Sequence, residues 1–217
     1  MFRRLAAVIL ASSLALTAAA CSSGGGSSAD DVPTDESAGR TTSGGVDIGP
    51  APEGIEGVEA FRIDSRNHTE ENLDYDHKPP TGGDHFPVPA TCGFYSSDPP
   101  PDELMVHDLE HGSIWIAYRP DLDDAQKDVL RQLVAQQAKV TATPYPDLDS
   151  PLVLTAWGRQ LSLDSADDPR VQQFIDTYRA TPADAGSAAG TKNHSQAPEP
   201  SAACQGVGQP EPASPTS

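Results

Sequence analysis

Positive charge is scarce in this sequence. Fourteen Lys and Arg stand against 32 Asp and Glu in 217 residues, a formal net charge of −18. Arg3 and Arg4 lie in the first twenty residues, which carry no acid, so the remainder holds 12 − 32 = −20. A body this acidic repels phosphate backbones and anionic headgroups, which argues against nucleic acid as a partner. Other absences narrow the chemistry. Gly82-Gly83 is too short for a phosphate-cradling loop and lacks the Lys-Ser/Thr that would follow it. No Ser sits in a nucleophile-elbow pattern, and Cys92 has no CxxC partner.

The apolar run Leu5 to Leu16 follows the two arginines. It is shorter than the roughly 20 residues a membrane span needs, so it reads as an export signal. Small residues from Thr17 to Ala20 then lead into Cys21 and CSSGGGSS. This resembles the bacterial lipobox, which implies cleavage after Ala20, acyl chains (palmitate among them) on Cys21, and a lipid-anchored protein on the extracytoplasmic face of the cell membrane. Ordinary signal cleavage at the same small residues, giving a free secreted protein, is the alternative.

The sequence holds only three cysteines, and setting Cys21 aside leaves Cys92 and Cys204. In an oxidising compartment an even pair reads as one disulfide. The competing reading makes Cys92, with histidines nearby, a thiolate metal ligand.

Composition divides the chain into a signal at 1–20, a lipid-anchored disordered linker at 21–52, a globular domain at 53–182 and a mostly disordered tail at 183–217 tethered at Cys204. Within the domain, 58–63 alternates as a strand, and a long Pro- and Gly-punctuated loop runs from Asn67 to about Asp102. The segment 113–118 (SIWIAY) reads as a buried strand, with Trp115 a core residue, as is Trp157 in the strand 152–157. Asp121, Asp123 and Asp124 open a helix whose inner face is Ala125, Val129, Leu130, Leu133, Val134 and Ala138. Strands at 139–143 and 152–157 follow, then a helix from Pro169 to Tyr178 with Val171, Phe174, Ile175 and Tyr178 inward. The expected architecture is α+β, a two-layer α/β sandwich with two helices packed on a mixed sheet.

Two polar segments stand apart from ordinary loop: PPTGGDH at 79–85, and HDLEHG at 107–112 leading into SIWIAY. With Cys92-Gly93-Phe94-Tyr95 and the downstream PYPDLDSPLVLTAWGR, they resemble an uncharacterised bacterial family, the domain of unknown function numbered 3105. Its hallmarks look like PPTSGPH, GVY and VHNLEHGGVVIYY, and the likeness covers about residues 57 to 180. The sequence departs from that pattern with Gly83-Asp84 for Gly-Pro, Phe94 for Val and Ser113 for Gly. The resemblance implies no activity and transfers no functional residue.

The chemistry is therefore read from the residues. His107, Glu110 and His111 spell H-x-x-E-H, which on a helix sets two imidazoles over one zinc with the glutamate as base. Pro99-Pro100-Pro101 and Gly112 leave only about ten residues for that helix, and a metallopeptidase needs a third protein ligand as well. If 104–111 is instead extended, His107 and His111 lie about 13–14 Å apart, too far for one ion.

Five of the six histidines, His68, His77, His85, His107 and His111, fall within 44 residues. Imidazole suits copper or zinc, and Met105 offers a soft ligand for Cu(I). The favoured reading is a non-enzymatic metal site on His85, His107 and His111, with Glu110 as an orienting group or fourth ligand. The alternative has these histidines bonded to loop backbone in a binding or assembly module for another envelope protein.

Overall fold

The computed structural model describes residues 47–50, 54–184 and 195–201. The expected signal segment, Cys21 and Cys204 lie outside them, and with them the expected lipid anchor and the far end of the expected disulfide. Among the described residues no helix is long and apolar enough to cross a membrane.

The elements run β1 (Asp47–Pro50), β2 (Val58–Phe61), α1 (Asp102–Glu110), β3 (Ile114–Tyr118), α2 (Asp124–Gln136), β4 (Val140–Pro144), β5 (Leu152–Ala156), β6 (Arg159–Leu163) and α3 (Pro169–Tyr178). The strands form one mixed sheet in the order β1-β2-β6-β5-β3-β4. The fold is α+β, as expected. Among the described strands only β3 and β4 pair in parallel, Ile114 opposite Val140, with α2 as the crossover between them.

All five residues of β3 are buried, because both faces of the sheet are covered. Ile114, Ile116 and Tyr118 face one cluster with Leu130 and Val134 of α2 and Val171, Phe174, Ile175 and Tyr178 of α3. Asp123 caps α2 through Gln126 N at 2.8 Å, and Asp168 caps α3 through Arg170 N at 2.8 Å. Full burial of a side chain such as Phe174 stabilises by about 1.5–3 kcal/mol relative to exposure. Trp115 and Ala117 point the other way, into a second cluster with Val153 and Trp157 and with Met105, Val106 and Leu109 of α1. The sheet therefore carries the two expected helices on one face and a third, α1, on the other.

Two boundaries shift. Asp47–Pro50, inside the expected linker, pairs antiparallel with β2 as an edge strand. Such pairing uses main-chain groups, so a segment with little apolar content can join it. Residues 195–201, inside the expected disordered tail, pack against the end of α1: Ser195 and Ala197 are buried, and Glu199 N donates to Glu110 O at 3.1 Å.

Candidate metal centre

Helix α1 is bounded by the residues that left it so little room. Pro101 precedes it, and Asp102 and Glu103 in its first turn suit the helix dipole. Gly112 ends it with φ 81, where an added Cβ would run into Ala180. Gly112 N donates to Leu109 O and Ser113 N to Asp108 O, each at 2.9 Å, a Schellman closure. The segment is thus helical and not extended. His107 and His111 share a face, and their Nε2 atoms stand 3.1 Å apart instead of the 13–14 Å of a strand.

His85 comes from the PPTGGDH loop. The loop pairs with the segment after β2: His85 N donates to Asn67 O at 3.0 Å and Thr69 N to His85 O at 2.8 Å. These bonds set His68 beside His85, ring centroids 5.0 Å apart. Asp84 clasps the pairing by accepting from Ser65 Oγ and from Asn67 N. Those bonds hold its carboxyl below the usual range.

Glu110 is 2% exposed and both its oxygens are engaged. Oε2 lies 3.1 Å from His85 Nε2 and 3.8 Å from His68 Nε2. Oε1 accepts from Arg66 Nη1 at 3.1 Å. Ligand atoms of His68, His85, His107 and Glu110 all fall within 4.8 Å of one another. Bonds of about 2.0–2.1 Å to tetrahedral zinc would space them by roughly 3.3 Å.

The proton positions sharpen this geometry. A carbonyl oxygen only accepts, so each ring nitrogen facing one must carry hydrogen. Nδ1 of His85 donates to Gly83 O (2.8 Å), Nδ1 of His107 to Phe86 O (2.9 Å), and Nδ1 of His111 to Glu199 O (2.7 Å). Gly83 adopts φ 122, a conformation open to glycine, and so turns that carbonyl toward the ring. In the neutral rings every Nε2 is then a bare lone pair. Two such lone pairs face each other between His107 and His111, whereas His85 Nε2, when protonated, donates to Glu110 Oε2.

Electrostatics separates these groups. Burial, reinforced by His111 and His85, pushes His107 down to about 4, so its ring is neutral at pH 7. For His85, burial opposes the charge, but Glu110 and the Gly83 carbonyl outweigh it and raise the ring above its ordinary value. Burial likewise works against the Glu110 charge, and the bonds from His85 and Arg66 hold its carboxyl low.

The expected ligands are thus brought together with one rearrangement. His85, His107 and Glu110 form a quartet with His68, while His111 stands at the rim, against His107 and grouped with Glu110 and Glu199. Met105 is packed in the apolar cluster around Trp115 and is not a soft ligand there. Cys92 is buried and disulfide-bonded, which removes it as a thiolate ligand. Arg66, His68 and Glu199 were not singled out as site residues from the sequence. Clustering alone brought His68 to notice, and nothing local marked the other two.

A family described as "Protein of unknown function (DUF3105)" matches residues 67–206, which takes in both histidine motifs and the 195–201 segment. The chain belongs to this family. No curated protein and no solved structure matches it. Membership places the histidine centre inside the family's own domain and assigns it no activity.

Proposed function

We propose that this protein is a lipid-anchored component of the bacterial cell envelope that binds one transition-metal ion, copper or zinc, at the centre formed by His68, His85, His107 and Glu110, with His111 alongside. The observation that carries the reading is the convergence of the His85, His107 and His111 Nε2 atoms on Glu110 and on one another, each of these rings fixed by an Nδ1–H bond to a main-chain carbonyl. That is how metal-binding imidazoles are oriented and their tautomer set. The 3.1 Å approach of the His107 and His111 Nε2 atoms is repulsive between neutral rings and favourable around a shared cation. Imidazole and carboxylate donors fit zinc or copper(II).

Glu110 is buried, held by His85 and Arg66, and grouped with the imidazoles as a ligand, which favours binding over a peptidase base. The His107 bond to Phe86 O also pins the loop to α1, the feature an assembly module would need. The two roles differ in metal dependence.

The test is metal content and affinity of the full-length protein, extracted in detergent without a histidine tag, against His85→Ala and His107→Ala. About one equivalent of copper or zinc, lost in both variants, is the expected result. No metal above background in wild type, with the fold intact, overturns the reading and leaves the histidines as structural pins.

A further inference from the structure

The four groups of the quartet are not held alike. His85 is 0% exposed, Glu110 2% and His107 6%, whereas the His68 side chain is 51% exposed. The rings of His85 and His107 are locked by Nδ1–H bonds to Gly83 O and Phe86 O. Among the described residues, the His68 ring makes no hydrogen bond to the main chain; it meets only rings and the more distant Glu110 oxygen at 3.8 Å. Its backbone, by contrast, is fixed on both sides by the Asn67 and Thr69 bonds to His85. The residue is an anchored pivot with a free ring.

Space for an incoming group lies close by. Arg66 and Asn67, the two residues before His68, line an open cleft of about 450 Å³ together with Trp157 and Pro198. Trp157 stands edge-on to the His85 ring, centroids 6.3 Å apart, so this cleft reaches the wall of the centre.

A fully coordinated ion in a buried cage exchanges slowly, because a position must open before a new donor can bind. Resting on the metal-binding reading above, we infer that His68 is the exchangeable ligand of the centre, the position where an incoming donor replaces a protein group as the ion is taken up or handed on. The bond from the ion to His68 Nε2 breaks and one to the incoming imidazole, carboxylate or amine donor forms, with no change in oxidation state. His85, His107 and Glu110 hold the ion meanwhile. The receiving partner is therefore a molecule that presents such a donor on a flexible arm or as a small chelate.

The experiment loads full-length protein, extracted in detergent, with one equivalent of zinc and follows its transfer to rising concentrations of a chromogenic chelator. In wild type the rate should level off at high chelator, because departure of His68 becomes limiting. In His68→Ala the zinc should still bind, but transfer should rise in proportion to chelator and outrun wild type by about tenfold or more. Added free imidazole should restore slow transfer to the variant, a rescue that a merely structural role would not produce. The same saturating curve in both proteins overturns the inference. So does loss of zinc from His68→Ala as complete as from His85→Ala with its melting temperature retained, since His68 would then be a holding ligand. A wild type that takes up neither zinc nor, when loaded in its place, copper overturns the metal reading itself, and this inference with it.

Discussion

Arg66 reaches Glu110 and Glu199 with a single nitrogen, Nη1 lying 3.1 Å from Glu110 Oε1 and 2.8 Å from Glu199 Oε1. Glu110 is buried and so needs a counter-charge. Arg66, its side chain 45% exposed, supplies one from the rim and ties the 195–201 segment to the centre as it does so.

Replacing that charge should make the fold more dependent on metal. Arg66→Met keeps the stem and removes the guanidinium. The metal-free protein should lose on the order of 1 kcal/mol, a figure kept small because the cation is half exposed and screened. A divalent ion would then neutralise Glu110 in its place. The rise in melting temperature on adding zinc should be larger in Arg66→Met than in wild type. An equal rise would mean that ion and guanidinium do not share the carboxylate.

Metal uptake should release protons near neutral pH, and His85 should be their main source. Its folded pKa is raised, so it keeps its proton to a higher pH than an ordinary histidine, and the ion must displace it. His107, pushed down to about 4, is already neutral and contributes none. Affinity should therefore climb as pH rises through the raised His85 value and then level off. Calorimetry in buffers of different ionisation enthalpy reads the proton count. Release that persists undiminished above pH 9 would contradict this assignment.

Asp108 gives stability a pH dependence of its own. It is 1% exposed, and burial, only partly offset by the Ala90 backbone and the Lys139 charge, pushes its pKa from 3.8 up to about 8. The folded state holds this proton where the unfolded chain has lost it. The stabilisation is complete below the unfolded value, near 4, and is lost as pH rises through about 8. Asp108→Asn removes the titration. The variant should melt several degrees above wild type at pH 8, with the difference shrinking by pH 5, where both side chains are neutral. Parallel melting curves across that range would count against a buried, protonated Asp108.

The sequence was most legible where period and burial agree. SIWIAY, LVLTAW and the inner faces of α2 and α3 stand close to where their patterns put them, because each faces an apolar cluster. Two residues expected on the inner face of α2 are exposed instead: Ala125 in its first turn and Ala138 two residues past its end. Helix α1 was ambiguous for a physical reason: His107, Asp108 and Glu110 are buried along with Met105, Val106 and Leu109, so no polar face contrasts with an apolar one. Strand β6 escaped notice because Arg159-Gln160-Leu161-Ser162-Leu163 is too polar to stand out, though it pairs along its whole length with β5. The histidine motifs marked the centre. His68 and Glu199 belong to it through main-chain pairing between segments 17 and 89 residues apart, which no local pattern encodes.

The three ring orientations at the centre are all set by peptide carbonyls, those of Gly83, Phe86 and Glu199. No side-chain substitution deletes a carbonyl, so the aim of these imidazoles is insulated from point mutations at Phe86 and Glu199, though not at Gly83, whose φ of 122 favours glycine. What it cannot tolerate is a change in the path of the main chain. A one-residue deletion or an inserted proline near 83, 86 or 199 would swing a ring off target while leaving every histidine in place. Sequence drift around this centre is therefore constrained in length and backbone conformation more than in chemical identity.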